Sequence, residues 1–475
     1  MMSTSNKAWA KAIAQPAKEF PLTDLSIISG AIPAGLNGTL YRNGAARLSR
    51  GKDKVGHWFD GDGAVLAVHF KSEGAKAVYR YVQTKGYQAE ERKNRLIFPN
   101  YGMTAPGGFW HSWGKEVKNA ANTSVIALKN RLLTLWEGGK PHALDLENLE
   151  TIGLDDLAAL ENQQAFSAHP KIEPETGTIF NFGVSIGRQA KLHLYRCSQD
   201  GVITQQNTLI LKTIPFIHDF VLAGNYIIFF IPPVRFNPLP VLLGFTSYSD
   251  AMHWQPQLGT EILVFDCQNL ELISRGKTEP WFQWHFSNGY YRRDGLVVIE
   301  LVRYADFATN RYLQEVSTGK TTTSAVGNLW EICLNPRTSQ VVSTKLISPR
   351  GCEFPVVAPS QVGKDWRYTY LSVHRDEVDP AAEIFGAIAR FERETGKSVI
   401  ADMGDNCYPS EPIFVSNSDN SEQGWVLTVV YDGNTHRSEV RIYASEQMDQ
   451  EPICRLALPE VIPHSFHGTW RAATK

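Results

Sequence analysis

The stretch Phe216-Ile217-His218-Asp219-Phe220 runs on into Ile227-Ile228-Phe229-Phe230-Ile231-Pro232-Pro233 and sets a histidine and a carboxylate beside the most apolar run of the chain. Successive side chains of a strand point to opposite faces, so His218 and Asp219 cannot both reach one metal ion from a β-segment. An imidazole is the better ligand for iron, copper or zinc. The stretch therefore predicts an inward-facing histidine on a β-segment.

The rest of the chain repeats the period of two that is typical of short strands. Apolar and polar residues alternate over residues 65–70, 192–195, 260–265, 329–334 and 440–443. Hairpin-type pairs lie between such segments, at Asp62-Gly63, Asp200-Gly201, Asp294-Gly295 and Asp432-Gly433. Helical candidates are few and cover residues 5–14, 154–161 and 380–394.

Many short strands without alternating long helices predict an all-β fold closed by radial repetition. At roughly four strands per blade, a chain of 475 residues fits a propeller of about six or seven blades with long loops. No linker divides the sequence, so we expect one domain over residues 1–475, in which residues 1–20 form an N-terminal extension.

Composition excludes several classes of function. A formal net charge of −2 leaves no broad basic field for nucleic acid. The six cysteines contain no C-x-x-C pair, which favours reduced thiols over a disulfide framework or a zinc knuckle. Residues 1–20 lack an apolar signal core, and no window reaches the ~20 apolar residues that span a bilayer. We expect a cytoplasmic protein.

Four of the 13 histidines stand inside aromatic, strand-like segments, where an unpaired imidazole would carry a desolvation cost: His169, His218, His285 and His467. In a propeller the inner strands line the axis, so distant histidines can meet there. His464 competes with His467, and His57 is expected to shape the fold.

Three glutamates lie in similarly apolar settings: Glu137, Glu353 and Glu411. Buried glutamates are almost always paired. Carboxylates behind a metal site orient its histidine ligands. The alternative is a plain salt bridge to an arginine such as Arg303.

The chain resembles the carotenoid cleavage oxygenase family, which includes cyanobacterial apocarotenoid oxygenases and the retinal pigment epithelium isomerase. The motifs lie at residues 36–44 (LNGTLYRNG), 57–63 (HWFDGDG) and 467–470 (HGTW). The resemblance implies a seven-bladed β-propeller whose long loops form a cap over an axial Fe(II). It assigns the iron to His169, His218, His285 and His467, with Glu137, Glu353 and Glu411 holding ligand imidazoles.

The same resemblance implies O2-dependent cleavage of a conjugated C=C bond into aldehydes, including retinal-type compounds. Stilbene-cleaving relatives usually carry a lysine directly before the first of these glutamates, whereas this chain has Trp136, which favours an apolar polyene. We expect a substrate tunnel lined by aromatic residues: Tyr101, Phe109, Trp136, Phe230 and Trp284. Aromatic side chains are also ordinary core of a propeller.

The apolar loop, residues 231–245, resembles the loop that cyanobacterial apocarotenoid oxygenases present at the tunnel mouth. It predicts peripheral contact with a membrane that holds the insoluble substrate. The alternative is a buried loop packed against residues 154–161.

Three functions from different classes stay open at this point. The first is the Fe(II) oxygenase acting on apocarotenoids or carotenoids. The second keeps the site for stilbene cleavage or retinoid-type isomerisation. The third is a non-catalytic propeller that binds polyenes. The oligomeric state is not predicted.

Overall fold

The computed structural model describes residues 7–417 and 420–473, and strands dominate it. The strands of the first half are β1 (Phe20–Asp24), β2 (Ser26–Gly30), β3 (Gly38–Arg47), β4 (Ser49–Arg50), β5 (Asp53–Lys54), β6 (Asp62–Lys71), β7 (Gly74–Tyr81), β8 (Ser124–Ala127), β9 (Leu132–Leu135), β10 (His142–Leu144), β11 (Thr151–Leu154), β12 (Lys171–Ile172), β13 (Ile179–Ile186), β14 (Ala190–Cys197), β15 (Ile203–Leu211), β16 (Val221–Ala223) and β17 (Tyr226–Ile231). Those of the second half are β18 (Val234–Phe236), β19 (Met252–Trp254), β20 (Thr260–Asp266), β21 (Leu272–Thr278), β22 (Phe286–Tyr291), β23 (Val297–Arg303), β24 (Asn328–Asn335), β25 (Gln340–Ser348), β26 (Cys352–Val356), β27 (Tyr368–Val373), β28 (Ala387–Glu392), β29 (Lys397–Asp402), β30 (Cys407–Pro409), β31 (Ile413–Asn417), β32 (Asn420–Asp432), β33 (Arg437–Ala444), β34 (Cys454–Ala457) and β35 (Gly468–Ala472).

Helices are short and lie in connections between strands. The α-helices are α1 (Lys85–Lys93), α2 (Pro238–Leu242) and α3 (Ala308–Val316). Short 3₁₀-helices cover Ala8–Ile13, Trp58–Asp60, Phe109–Ser112, Pro256–Leu258 and Pro359–Gln361. The expected all-β class is confirmed.

Consecutive strands form antiparallel sheets along the chain. The strand orders are β11-β10-β9-β8, then β12-β13-β14-β15, then β21-β20-β17-β16-β22-β23-β24-β25, then β26-β27-β28-β29. Within the eight-stranded sheet, β16 and β22 are joined by a parallel bridge between Ala223 and Gly289. This sheet is therefore two four-stranded antiparallel units placed edge to edge.

The two ends of the chain cross over into each other's sheets. The C-terminal strand β35 pairs with β3 in the order β1-β7-β6-β3-β35, and the N-terminal strand β2 pairs with β34 in the order β2-β34-β33-β32-β30. Of the expected extension, residues 1–6 lie outside the described residues. Trp9, in the 3₁₀-helix that follows, is fully buried, and its indole N–H donates to the carbonyl of Ala382.

The five segments of period two all lie within strands, namely β6, β14, β20, β24 and β33. Both faces of the apolar strand β17 are covered, because Phe229 belongs to one core cluster and Phe230 to another. This double coverage explains why β17 is continuously apolar, as expected for a strand buried on both faces.

Two of the predicted helices are wrong. Residues 387–392 form β28, a central strand of its sheet, because sheet packing on both faces outweighs their local helix propensity. Residues 154–161 cannot be helical, since Leu157 and Ala158 have φ angles of +50° and +64°.

Three of the four predicted hairpin pairs join strands, but Asp62-Gly63 does not, because these residues begin β6. The Asp62 carboxylate is buried between two cations, at 2.8 Å from the Arg50 guanidinium and 2.7 Å from the Lys118 ammonium. Lys118 also lies 2.7 Å from Glu90. Burial lowers the pKa of Lys118, but the two carboxylates outweigh that effect and raise it. Lys118 is therefore a charged residue in the interior.

We expect Lys118→Met to destabilise the fold by about 3–5 kcal/mol, because it removes one of the two cations that neutralise the buried carboxylates of Asp62 and Glu90. Lys76→Met is the matched control, since Lys76 pairs with Asp24 at 3.3 Å on the surface, and it should change stability by no more than about 0.5 kcal/mol. Urea unfolding monitored by tryptophan fluorescence measures both. Equal shifts of the two midpoints would contradict the argument.

Candidate metal centre

Four histidines meet at one buried point although they come from distant parts of the chain: His169, His218, His285 and His467. Each stands one to three residues before a strand, in front of β12, β16, β22 and β35 respectively. Equivalent positions, each just before a strand, therefore deliver the four rings.

The rings are in contact with one another. One ligand nitrogen from each histidine can be chosen so that all four lie within 4.8 Å of one another. The Nε2 atoms of His218 and His285 are 3.2 Å apart, and the ring centroids of His169 and His467 are 4.7 Å apart. Each histidine is at most 8% exposed. The arrangement is compact enough for a single ion.

Carboxylates lie behind three of the rings, at Nδ1. The distances are 2.9 Å from Glu137 to His218, 2.5 Å from Glu353 to His285 and 2.9 Å from Glu411 to His467. The contacts of His285 and His467 are hydrogen bonds that hold Nδ1–H and leave Nε2 as the free lone pair. The Glu137 oxygen near His218 has no hydrogen-bond partner among the described residues.

His169 differs from the other three. Its Nε2 is 3.7 Å from Glu137, beyond hydrogen-bond distance, and has no partner among the described residues although it is buried. An orphaned nitrogen of this kind fits a metal ligand, because a bound ion would satisfy it. The donor set is also chemically suitable, since imidazole nitrogen binds divalent iron, copper and zinc.

Electrostatics favour neutral rings at two of the four positions. Burial, followed by the neighbouring imidazoles, lowers the pKa of His169 well below its ordinary value. Burial also lowers the pKa of His467 to about 4, against the opposing effect of Glu411. The His285 ring is different, because the Glu353 carboxylate outweighs burial and raises its pKa. The neutral imidazole is the form that binds a metal.

Asp219 turns away from the metal centre, as the alternation at His218 requires, and links three of the histidine segments. Its carboxylate accepts the N–H of Phe286, which follows His285, at 3.0 Å. It also lies 2.8 Å from the ammonium of Lys171, which is two residues after His169. Asp219 thereby fixes the spacing of these three segments.

Sequence reasoning missed two residues that position the site. Arg42 is 1% exposed, pairs with Glu411 at 2.9 Å and donates to the carbonyl of Phe466 at 3.0 Å. The Phe354 N–H donates to Glu353 at 2.5 Å, and its ring lies over His285 at 5.5 Å between centroids. Arg42 lies within the motif at residues 36–44, but its burial has no signal in the sequence.

The remaining candidates lie elsewhere. His464 donates from Nε2 to the carbonyl of Trp9 at 2.9 Å, and His57 accepts the N–H of Phe59 and caps a 3₁₀ turn. Arg303 pairs with Glu279 and does not neutralise any of the three site glutamates.

Three of the four histidines, His218, His285 and His467, line a cavity of about 420 Å³, a volume within the range of small-molecule sites. Three of the five expected tunnel residues line it: Tyr101, Trp136 and Trp284. Two do not. Phe230 is fully buried against Trp281, because β17 is covered on both faces. Phe109 is 40% exposed and packs on Phe245 at the surface.

Comparison with known proteins gives a consistent result over nearly the whole chain. A family model described as retinal pigment epithelial membrane protein matches residues 13–472. An apocarotenoid-15,15'-oxygenase of Synechocystis is 32% identical over 461 residues, which cover 93% of this chain and 92% of that protein. A resveratrol cleavage oxygenase of Aspergillus fumigatus is 24% identical over 466 residues, which cover 93% of this chain and 91% of that protein.

The similarity extends to the three-dimensional structure. The crystal structure of cobalt-substituted Synechocystis ACO matches with a TM-score of 0.89 and 30% identity, and 99% of each chain is covered. Sequence, fold and the four-histidine site agree, and the chain belongs to the carotenoid oxygenase family, whose model is described as retinal pigment epithelial membrane protein.

Proposed function

We propose that this protein is a non-haem Fe(II) dioxygenase that cleaves one conjugated C=C bond of an apocarotenoid or carotenoid with O2. Both oxygen atoms of O2 enter the products, so one double bond becomes two aldehydes, of which a retinal-type compound is one example. The observation that carries the proposal is the buried cluster of four histidines beside an aromatic cavity. The Synechocystis relative named as an apocarotenoid oxygenase supports the substrate class.

The histidines would hold the iron through their free nitrogens, and Glu137, Glu353 and Glu411 would fix three of the rings from behind. When bound, Fe(II) supplies the redox chemistry that O2 requires and that amino-acid side chains lack. No general acid or base has to be assigned, because the overall conversion of alkene and O2 into two aldehydes neither gains nor loses a proton.

The cavity would bind the polyene and exclude water. Trp284 stands against His218, with 4.8 Å between ring centroids, and Phe59 packs edge-on against Trp284 at 5.7 Å. Flat aromatic walls suit a rigid conjugated chain, since they bury its apolar surface without ordering a flexible ligand. Trp136 extends this wall beside Glu137 and offers no charge to a phenolate.

We also propose that the sheets form seven radial blades of one domain over residues 1–475. The eight-stranded sheet divides into two blades at its parallel bridge, and each of the other large sheets supplies one. Exchange of β2 and β35 between the first and last sheets would close the ring. Closure of this kind protects the sheet edges.

Peripheral membrane contact through the apolar loop, residues 231–245, is a further part of the proposal. Leu239, Leu242 and Phe245 are 62%, 74% and 64% exposed, and they adjoin Trp110 and Trp113, which are 57% and 54% exposed. The indole of Trp113 donates to the carbonyl of Leu243 at 2.9 Å, so the two segments form one surface.

A large exposed apolar surface of this kind fits an interaction site. Among the described residues no helix is long and apolar enough to cross a bilayer, and a surface contact does not require one. All six cysteines are free thiols, in keeping with the expected reduced state, and the cytoplasmic location stays a prediction.

The decisive test is to load purified protein with Fe(II) without oxygen, add an apocarotenal or β-carotene in detergent, admit air and identify products by chromatography. We expect aldehydes from the polyene in the wild type. His218→Ala should bind no iron and form no product, because one of the four ligands is lost. Its circular dichroism should remain that of the wild type. If the protein binds stoichiometric iron but cleaves only a stilbene, the carotenoid function is wrong. The function would then be stilbene cleavage, the activity for which the Aspergillus relative is named.

Glu353→Gln should weaken iron retention by about 10–100-fold, because the amide removes the charge that holds Nδ1–H of His285. Glu279→Gln is the matched control, since Glu279 pairs with Arg303 at the surface, and it should retain iron as the wild type does. Iron content after dialysis against a graded series of chelator measures both. Equal retention by the two variants would count against the role of Glu353.

Leu242→Asp should lower binding to phospholipid vesicles by roughly 10–100-fold, because one well-buried leucine contributes about 1.5–3 kcal/mol. Ile152→Asp is the control, since Ile152 is 67% exposed on β11, outside the apolar loop. Sedimentation with sucrose-loaded vesicles gives the partition coefficients. The same loss in both variants, or none in Leu242→Asp, would contradict membrane contact through this loop.

A further inference from the structure

Two polar side chains from one stretch of backbone line the cavity. Ser372 lies in β27, and His374 follows the end of that strand. Residues two apart share a face of a strand, and both line the cavity. Ser372 is 1% exposed and His374 is 8% exposed. They are therefore interior groups that border a space large enough for a ligand.

Neither side chain has a hydrogen-bond partner among the described residues. The hydroxyl of Ser372 and Nδ1 of His374 are both buried and unpaired. Leaving such a group unsatisfied costs about 1–3 kcal/mol. Other serines of the cavity are not in this state, since Ser185 bonds to His193 at 2.8 Å and Ser465 accepts from Arg42 at 2.9 Å. Among the described serines of the cavity, the unpaired state is therefore particular to Ser372.

The chemistry of the pair selects the kind of ligand. Burial lowers the pKa of His374 to about 4, so the imidazole is neutral and offers one donor and one acceptor. A neutral ring does not attract an anion strongly. A hydroxyl group both donates and accepts, and it therefore matches the imidazole together with the serine hydroxyl.

Aromatic rings connect this pair to the histidine cluster. The Phe385 ring lies 4.5 Å from His374, Phe354 lies 6.4 Å from Phe385, and Phe354 lies 5.5 Å from His285, all measured between centroids. Ser372 is also the register partner of Glu353 across β26 and β27. The polar pair thus ends an apolar row that begins at the metal centre.

We propose that Ser372 and His374 form a subsite for a hydroxyl group at one end of the bound substrate. With the proposed carotenoid function, on which this substrate class rests, the preferred polyene carries an alcohol on its terminal ring. The hydroxyl donates to one side chain of the pair and accepts from the other. The aromatic walls supply affinity for any polyene, and the pair supplies selectivity between polyenes of equal length.

The test measures binding to metal-free protein, so it does not depend on turnover. Quenching of tryptophan fluorescence is titrated with an apocarotenal whose ring carries a hydroxyl and with the same compound without it. Trp136 and Trp284 line the cavity and report occupancy. We expect the wild type to bind the hydroxylated compound about 5–150-fold more tightly, the value of two neutral hydrogen bonds.

Substitutions show whether the preference for the hydroxylated compound depends on Ser372 and His374. His374→Leu should bring the ratio of the two dissociation constants close to one, and His374→Asn, whose amide keeps a donor and an acceptor near the position of Nδ1, should preserve it. Ser372→Ala removes a single oxygen and should reduce the ratio even if His374→Leu does not fold. His253→Leu is the matched control at an exposed position outside the cavity, and its ratio should equal that of the wild type.

Equal binding of both compounds by the wild type would overturn the subsite, and so would a ratio that persists in His374→Leu and Ser372→Ala. The same fluorescence titration is repeated with a phenolic stilbene. If it binds in a His374-dependent manner while neither polyene binds, the hydroxyl belongs to a phenol, and the proposed carotenoid function fails while the subsite stands. If the hydroxylated polyene shows the dependence, the hydroxyl is an alcohol.

Discussion

The structure depends on the contact between a carboxylate and the rear nitrogen of an imidazole. Four buried imidazole rings meet at the nitrogens that face the metal centre, and nothing at that point fixes their orientation. Contacts at the opposite ring nitrogen, Nδ1, therefore have to fix it. Glu353 and Glu411 do this by hydrogen bonds to His285 and His467, and Glu137 lies at the same distance from His218 as Glu411 does from His467. The Glu353 and Glu411 carboxylates are in turn buried charges that need partners, whereas the Glu137 side chain is 34% exposed. Arg42 supplies the partner for Glu411, and the N–H of Phe354 supplies the partner for Glu353.

This series of ion pairs and hydrogen bonds connects the metal centre to the strands that close the fold. His467 stands at the start of β35, and β35 pairs with β3, which carries Arg42. Arg42 then binds the glutamate that holds His467. The pairing that ties the C-terminus to the first sheet therefore also completes the histidine cluster. A chain that had not closed would lack one ligand and would leave the Arg42 charge without its carboxylate.

The sequence was informative where the signal is local. Period two located five strands, and histidines or glutamates within aromatic segments identified the seven residues of the cluster, because a polar group in an apolar setting requires a partner. It was uninformative where burial is decided by distant segments. The burial of Arg42 and Lys118 has no local signal, Asp62-Gly63 was predicted as a hairpin pair and residues 387–392 as helix, since only the neighbouring sheets make these positions interior. Phe230 was wrongly predicted to line the tunnel for the same reason. A strand that is apolar on both faces gives no indication of which face borders a cavity.

Among the described residues, unpaired buried polar atoms occur at the metal cluster and the cavity wall, and also in the core, as at the hydroxyl of Tyr195 and the indole nitrogen of Trp281. Asp62 lies among charges of opposite sign and completes a closed group. The Nε2 of His169, the hydroxyl of Ser372 and Nδ1 of His374 have no such compensation, and all three belong to the cluster or the cavity wall. At about 1–3 kcal/mol each, their cost is a large fraction of a typical folding free energy of 5–15 kcal/mol. Where such a group borders a cavity, a ligand can satisfy it, and a metal ion at His169 and a substrate hydroxyl at Ser372 and His374 are the partners whose chemistry fits.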